Sequence, residues 1–267
     1  MMRRLIVMCI CSGAALAACA DVALVQDGKA VATVVVRADD APAEFAAGQL
    51  QYWTREITGA SLPVVTNAAG IPPPRVFIGR ALAEAAFPED AAWLGASQGF
   101  AVRERDGDLH VFGGGGVGAL FGCYDILEKA TDIIWPCREQ GFDRIFTPTR
   151  DLVVRQTGYR EKPTIARRMF MHDHDARDFY HFLRNRAYAA DFDCPLKRVG
   201  IEMDGSECHN TLKYLPWERY GETHPEFYAE QNGVRKRQTG GFDGNACWSS
   251  MEGAEEYARN FVRERLE

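Results

Sequence analysis

The run from Pro42 to Val65 constrains the fold of this 267-residue chain more than any other part of its sequence. Its apolar residues recur at steps of three and four, which places them on one stripe of a helix. They are Ala43, Ala46, Leu50, Trp53 and Ile57. Gln51, Thr54 and Arg55 fall outside the stripe and are predicted to face away from it. The run therefore predicts an amphipathic helix with one buried face.

Residues that favour the start and the end of a helix flank this stripe. Asp39, Asp40 and Pro42 suit a helix start, and Gly59 suits its end. Leu62 to Val65 then forms a short apolar run that is typical of a strand. The sequence thus predicts a helix that turns sharply into a sheet.

The rest of the N-terminal half alternates strand-like and helical patterns. The strand-like runs are Val22 to Val25, Val31 to Arg37 and Arg75 to Gly79. Phe100 to Glu104 and Leu109 to Phe112 are predicted to pair as a hairpin, because Asp106 and Gly107 between them favour a turn. A second helix has one apolar face, made by Val117, Leu120, Tyr124 and Leu127. This order predicts an α+β domain with a mixed sheet and two main helices over residues 21–155.

Residues 156–267 have a different rhythm, in which strands and helices alternate. The strand-like runs are Arg168 to Met171, Val199 to Met203 and Ala246 to Trp248. One helical pattern runs from Phe179 to Ala190, and another is predicted to start at a capping box of Ser249 and Glu252. This alternation opens a β/α barrel and supplies about three of the eight units that a closed barrel needs. The predicted fold class is therefore α/β, with an incomplete barrel, and we expect this chain to be part of a longer protein.

The first 20 residues have the pattern of a secretory signal peptide. Arg3 and Arg4 precede an apolar run, and small residues follow it. Ala18, Cys19 and Ala20 fit cleavage by ordinary signal peptidase, whereas the run that ends at Cys19 also resembles a bacterial lipobox. The sequence predicts export, to the periplasm or the cell surface, and leaves open a lipid anchor at Cys19 as the one route to a membrane.

Charge and cysteine content exclude two classes of protein. The formal net charge is -6 and basic residues are scattered, which argues against a nucleic-acid surface because phosphate binding needs clustered Lys and Arg. The cysteines beyond the signal peptide are Cys123, Cys137, Cys194, Cys208 and Cys247. Their odd number and wide spacing predict buried thiols, with at most one or two bridges, in place of a disulfide framework.

Three motifs in order carry a resemblance to a known family. They are a Thr-Gly-Ala-x-Leu-Pro-Val run at Thr58 to Val64, a glycine-rich run into a Tyr-x-x-Leu-Glu helix at Gly113 to Glu128, and a His-Pro-Glu-Phe-Tyr-Ala-x-x-Asn-Gly segment at His224 to Gly233. In these the chain resembles exported bacterial proteins, largely uncharacterised, that carry a β-hexosaminidase/α-glucuronidase-like N-terminal domain ahead of a glycoside-hydrolase-like barrel. It departs from them between Gln238 and Asn245, which is glycine-rich and aperiodic.

This resemblance implies a carbohydrate-active protein, a glycoside hydrolase that acts on a polysaccharide or glycan bearing uronic acids or amino sugars, with no cofactor. The resemblance also implies that the catalytic acids come from later barrel strands, so no catalytic residue is named. A different possibility is a non-catalytic surface module that binds glycan. The oligomeric state is left open.

Polar residues that follow the predicted barrel strands are the candidate substrate contacts. His172, Asp173 and His174 follow the first strand, and His209 follows the second. Because the C-terminal ends of barrel strands line the active-site mouth, these side chains are placed to touch sugar. His172 and His174 share a face of an extended chain and could begin a metal site, which gives a metal-dependent hydrolase as a minor alternative. No metal is predicted otherwise.

Arg186 and Trp248 are two further candidate substrate contacts, each suggested by its position in the sequence. Arg186 ends an Arg-Asn-Arg cluster, which suits a substrate hydroxyl or carboxylate but also the pairing of nearby acids. Trp248 lies near a predicted strand end and could stack on a sugar ring, whereas Trp53 lies on the buried stripe. The Gly113 to Gly116 run lacks the Gly-Lys-Ser/Thr of a phosphate loop and is predicted to be a hairpin exit.

Overall fold

The computed structural model describes residues 21–137, 139, 141–165, 168–170, 180–181, 183–189, 211–235 and 246–266. The chain divides into two compact units, residues 1–204 and 205–267. The predicted domain boundary at residue 155 lies inside the first unit and stays a prediction. No helix in the described ranges combines the length and the apolar character needed to cross a bilayer.

The first unit is a mixed α/β structure. Its strands are Val22–Gln26 (β1), Lys29–Ala30 (β2), Thr33–Val36 (β3), Val64–Val65 (β4), Arg75–Ile78 (β5), Phe100–Arg105 (β6), Asp108–Gly113 (β7), Leu152–Val154 (β8), Tyr159–Glu161 (β9), Met169–Phe170 (β10) and Tyr188–Ala189 (β11). Its helices are Ala41–Thr58 (α1), Pro88–Leu94 (α2) and Gly118–Ala130 (α3). Arg80–Leu82 forms a short 3-10 turn.

Six of these strands form one mixed sheet in the order β4-β3-β5-β7-β6-β9. β3 is parallel to β4 and β5, and β5 is parallel to β7. β6 is antiparallel to both β7 and β9. A separate antiparallel sheet has the order β2-β1-β8. The α/β fold class with a mixed sheet and two main helices is thus confirmed, and so is the β6–β7 hairpin.

Helix α1 begins and ends where its sequence predicts. The Asp40 side chain accepts a hydrogen bond from the Ala43 amide at 3.1 Å, and Gly59 adopts a left-handed backbone with φ of 79°. The predicted stripe is buried, but Thr54 is buried with it and does not face away. The predicted strand from residue 62 is also shorter, because the Leu62 carbonyl accepts from the Gln51 side chain at 2.6 Å. β4 covers Val64–Val65, and the Pro63 carbonyl before it accepts from the Val34 amide of β3 at 2.8 Å.

Helix α3 is buried almost all round because it lies close to the sheet. A Cβ on Gly118 would come within 2.3 Å of the Gly99 carbonyl oxygen, and one on Gly122 within 2.7 Å of the Val111 side chain. Glycine lets the two backbones approach this closely. The glycine-rich run before α3 is packed as closely, since a Cβ on Gly113 would come within 2.5 Å of the Ala119 amide nitrogen and one on Gly114 within 2.7 Å of the Ser97 carbonyl oxygen.

The opposite face of the sheet is covered by elements that the sequence analysis missed. Helix α2 and the 3-10 turn bury Ala83, Leu94, Ala101 and Phe112 in a small cluster. Asp90 of α2 binds the Arg103 guanidinium of β6 through two contacts of 2.7 Å. Burial would raise the pKa of Asp90, but the hydrogen bonds from Arg103 and Arg160 outweigh it and hold the pKa below its usual range.

The first predicted barrel strand is present, but the helix after it is shorter than predicted. β10 pairs in parallel with β11, with Met169 opposite Tyr188. The predicted helix from Phe179 to Ala190 is wrong at its end, because Arg186 has a positive φ of 54° and the chain then enters β11. The predicted strand Val199 to Met203 lies outside the described residues.

The described residues of the second unit, 211–235 and 246–266, include three helices and a hairpin. They are Thr211–Tyr214 (α4), Trp217–Tyr220 (α5), Met251–Leu266 (α6), Glu230–Gln231 (β12) and Val234–Arg235 (β13), with a 3-10 turn at Pro225–Phe227. Asn232 and Gly233, with φ of 52° and 76°, make the predicted turn between β12 and β13.

Two predictions for the second unit need correction. Ala246 forms an isolated bridge with Tyr228, so the predicted strand Ala246 to Trp248 is not a strand. The α6 cap is one residue later than predicted, since the Ser250 hydroxyl accepts from the Gly253 amide at 3.2 Å. Glu252 therefore lies inside the first turn instead of closing a capping box with Ser249.

Candidate functional site

The described residues include two of the six predicted substrate contacts, Arg186 and Trp248. His172, Asp173, His174 and His209 lie outside the described residues, and so does Cys19. Their roles remain predictions. The sites of Arg186 and Trp248 are described in turn, since Arg186 belongs to the first unit and Trp248 to the second.

Arg186 binds two carboxylates of helix α3. Its Nη2 donates to Asp125 Oδ1 at 2.9 Å and to Glu128 Oε2 at 2.6 Å, while its Nη1 donates to Glu128 Oε1 at 3.0 Å. Burial would lower the pKa of Arg186, but the bonds to Glu128 and Asp125 hold it above its usual range. The guanidinium fork is thus occupied by protein acids, which is the second of the two roles that its sequence position suggests.

The acids of α3 have further partners on strand β9 and within the helix. Asp125 Oδ2 accepts from Lys129 Nζ at 2.5 Å and from the Tyr159 hydroxyl at 2.6 Å. Lys129 also donates to Glu161 at 2.9 Å. Burial raises the pKa of Tyr159, and its hydrogen bond to Asp125 raises it further. Each acid of α3 in this network is neutralised by a cation, so the network favours a positioning role over acid-base chemistry.

The other two residues of the Arg-Asn-Arg cluster contact the same domain. The Arg184 guanidinium lies 4.8 Å from the ring centre of Trp53 and 5.2 Å from that of Trp135. Its Nη1 donates to Asp143 at 3.2 Å, and Asn185 donates to the Trp135 carbonyl at 3.3 Å. Leu183 is fully buried in the core that Trp53 shares. The segment 183–186 is therefore attached to the face of α1 and α3.

Trp248 is the described candidate that is open to a ligand. Its side chain is 56% exposed, and one edge contacts the ring of Tyr257 at 5.2 Å between centres. An exposed tryptophan held by a neighbouring ring keeps a large apolar surface for a sugar ring. This geometry is compatible with the predicted stacking role.

Three side chains that the sequence analysis did not name as candidates also cluster in the second unit. His224, Glu226 and Glu252 bring one possible ligand atom each to within 4.8 Å of one another. His224 Nδ1 is 3.2 Å from Glu226, and its ring stacks on Phe227 at 4.7 Å. The i, i+2 spacing in the His-Pro-Glu motif was the available signal, but Glu252 is distant in sequence.

A cleft of about 450 Å³ lies beside the end of α3. Its acids are Asp132 and Asp151, and both hold the backbone of nearby loops. Asp132 accepts from the Thr147 hydroxyl at 2.6 Å and from its amide at 2.8 Å, and these bonds hold the pKa of Asp132 below its usual range. Asp151 accepts from the Asp27 amide at 2.7 Å. Each of the two acids thus has a carboxylate oxygen occupied by a backbone amide.

No protein-family profile matches the sequence. No curated protein matches it either.

Three glycoside hydrolases are among the solved structures that the chain matches. A family GH115 4-O-methyl-α-glucuronidase with specificity for decorated arabinogalactans matches with a TM-score of 0.54 and 17% identity, over 91% of this chain and 40% of that chain. A GH138 enzyme that targets the pectin rhamnogalacturonan II matches 52% of this chain and 16% of that one, with a TM-score of 0.33 and 14% identity. The GH20 chitobiase of Flavobacterium johnsoniae matches 57% of this chain and 20% of that one, with a TM-score of 0.31 and 10% identity.

The glucuronidase similarity establishes a shared fold over nearly the whole chain. The two weaker similarities have TM-scores too low to support an argument. This chain spans about 40% of the length of the glucuronidase that it matches.

Proposed function

We propose that this chain belongs to a carbohydrate-active protein, a glycoside hydrolase of the α-glucuronidase or hexosaminidase kind that acts on a polysaccharide or glycan. The observation that carries this proposal is the fold shared with the GH115 glucuronidase over 91% of the chain. Fold alone does not assign a reaction, so the activity rests on the proposal. The three sequence motifs support it from an independent direction.

The first unit has the role of a scaffold in this proposal. Arg184 and Arg186 attach residues 183–186 to α1 and α3 through ion pairs and ring contacts. The proposed sugar contacts His172, Asp173 and His174 precede these residues in sequence. An anchored stretch close to them in sequence supports the proposal that they position substrate. His209 and Trp248, which belong to the second unit, are further proposed contacts.

Export is part of the proposal, because the first 20 residues have the signal-peptide pattern. Expression in a bacterial host with fractionation would test it. We expect the protein in the periplasm or at the surface, and labelled palmitate on the protein, lost in Cys19→Ala, would identify a lipoprotein. Retention in the cytoplasm with an intact N-terminus would refute export.

The hydrolase proposal is tested by assay on aryl glucuronides, aryl hexosaminides and glucuronoxylan fragments. The 267-residue chain is compared with the product of the reading frame extended beyond the Glu267 codon. Turnover by the longer product supports the proposal, and so does turnover by the chain itself that is lost on changing one of its carboxylates. No turnover by either protein, on any of these substrates, refutes a hydrolase.

A non-catalytic glycan-binding module is the second candidate. The observation in its favour is the exposure of the Trp248 side chain. An exposed ring can bind a sugar without a pair of acids beside it. Polysaccharide binding that is lost in Trp248→Ala, together with no turnover by either protein, would select this candidate over the enzyme.

A further inference from the structure

An exposed tryptophan in the first unit lies between two cations. Trp93, on α2, is 39% exposed. The Arg160 guanidinium lies 4.5 Å from its ring centre and the Lys162 ammonium 5.4 Å from it. Arg160 belongs to β9, and Lys162 is the first residue after that strand. Because the two residues are two positions apart along an extended chain, their side chains point to the same side. Both cations at this edge of the sheet therefore lie close to one aromatic ring.

The positive charge at this ring is only partly neutralised. Arg160 and Arg103 share one carboxylate, Asp90, at 2.8 Å and 2.7 Å. Among the described residues no carboxylate oxygen lies within 4 Å of Lys162, whose Nζ donates to the Trp93 carbonyl at 3.1 Å. Glu89, one turn before Trp93, adds a second acid to the surroundings. Of the two cations at the ring, only Arg160 is thus paired with a carboxylate among the described residues, on a chain whose net charge is -6.

This combination suits a ligand that has both an apolar face and an anionic group. Exposed aromatic surface binds the apolar face of a ring, while Arg and Lys bind a carboxylate or sulfate through charged hydrogen bonds. A neutral sugar would offer no negative group to Lys162, which has no carboxylate oxygen within 4 Å among the described residues. A nucleic-acid strand would need a longer basic surface and would be repelled by the net charge.

We propose that Trp93, Arg160 and Lys162 form a binding site for an acidic saccharide, a sugar ring that carries a carboxylate or a sulfate. The saccharide class rests on the proposed function, whereas the need for a negative group rests on the geometry alone. The site would hold an acidic polysaccharide on the first unit, at residues that are separate from the predicted substrate contacts.

The test is affinity electrophoresis of the whole chain in native gels. The gels contain glucuronoxylan, a sulfated galactan, neutral arabinoxylan or poly-L-glutamate, so carboxylated sugar, sulfated sugar, neutral sugar and plain negative charge are separated. Trp93→Ala and Lys162→Gln are compared with the parent. Tyr52→Ala is the matched control, because Tyr52 is 38% exposed and also has a cation, Arg55, 5.8 Å from its ring centre. Melting temperatures confirm that each variant is folded.

We expect one of the acidic polysaccharides to retard the parent, and each of Trp93→Ala and Lys162→Gln to weaken that binding about tenfold or more. Tyr52→Ala should bind as the parent does. Equal retardation by poly-L-glutamate, or acidic-polysaccharide binding that survives in both variants, would overturn the site.

The outcomes also separate this inference from the proposed function. Glycan binding that is kept in Trp93→Ala and lost in Trp248→Ala would overturn the Trp93 site and leave a carbohydrate-active protein in place. A parent chain that no polysaccharide retards also overturns this site, and the proposed function falls with it only if the turnover assay is negative too.

Discussion

His110 is buried in an aromatic setting with a ring nitrogen that has no partner among the described residues. Its ring stacks on Phe77 at 4.9 Å and meets Phe87 at 5.1 Å, while Nδ1 is unpaired. Burial lowers the pKa of His110. The charges of Arg105 and Arg75 lower it further, whereas the charge of Asp108 raises it. The neutral ring is therefore the form that the folded protein accommodates.

This setting predicts a loss of stability in mild acid. The unfolded chain takes up a proton at His110 near a pKa of about 6.5, which the folded chain resists. The stability that goes with a neutral His110 is therefore fully present above a pH of about 6.5. It is lost as the pH falls toward the lower pKa of the folded state, by at most about 1.4 kcal/mol of unfolding free energy per pH unit. Urea unfolding at pH 7.5 and at pH 5.0 gives two free energies of unfolding, and the difference between them should be smaller for His110→Phe than for the parent. An identical difference would exclude His110 as its cause.

Trp53 is the largest fully buried side chain among the described residues, and none of these residues offers its Nε1 a hydrogen-bond partner. Trp53→Ala should lower the free energy of unfolding by about 3–5 kcal/mol, because it opens a cavity and removes the ring beneath Arg184. Trp53→Phe should cost clearly less, since no hydrogen bond is lost. Trp248→Ala, at an exposed site, should change stability by less than about 0.5 kcal/mol. Equal effects of Trp53→Ala and Trp248→Ala would contradict this assignment.

Helix α1 offers a test of one local signal, its N-terminal cap. Asp40→Ala removes the acceptor of the Ala43 amide and should destabilise the protein by about 1 kcal/mol. Asp40→Asn keeps an acceptor at the same place and should stay close to the parent. Thermal or urea unfolding distinguishes the two. The expectation fails if both variants lose the same stability.

The sequence predicted α1 well because its cap, its stripe and its terminal glycine all lie within the helix or beside it. It did not predict α2, which has seven residues and no side-chain cap at Phe87. It misplaced the end of the helix before β11, since that end is set where Arg186 binds Glu128, 58 positions earlier. Local patterns carry no information about such a partner.

The same limit applies to the candidate site. From the sequence, Arg186 suits a hydroxyl or carboxylate of the substrate or the pairing of nearby protein acids, and the structure supplies two protein acids. Trp248 was a candidate from its place near a predicted strand end, but the exposure of its side chain is known only from the structure. Trp93 lies on α2, whereas Arg160 and Lys162 lie on and just after β9, and no spacing in the sequence joins the tryptophan to the two cations.

For the whole molecule, the packing of residues 183–186 predicts where an independently stable fragment ends. A fragment of residues 21–155 loses Leu183 from the core and leaves Asp125 and Glu128 without Arg186. A fragment of residues 21–190 keeps these contacts, so it should melt at a higher temperature and resist proteolysis longer. Equal melting temperatures would support the boundary at residue 155 that the sequence predicts.

Because Arg184 lies over Trp53 and Trp135, the fluorescence of these two rings reports whether the segment that carries Arg184 is packed against them. Indole emission depends on nearby charge and on water, and these two rings meet at 4.6 Å in the core with the guanidinium against both. Release of the segment that carries Arg184 would admit solvent to the rings and shift their emission to the red. The attachment of that segment can therefore be followed in real time without an added label.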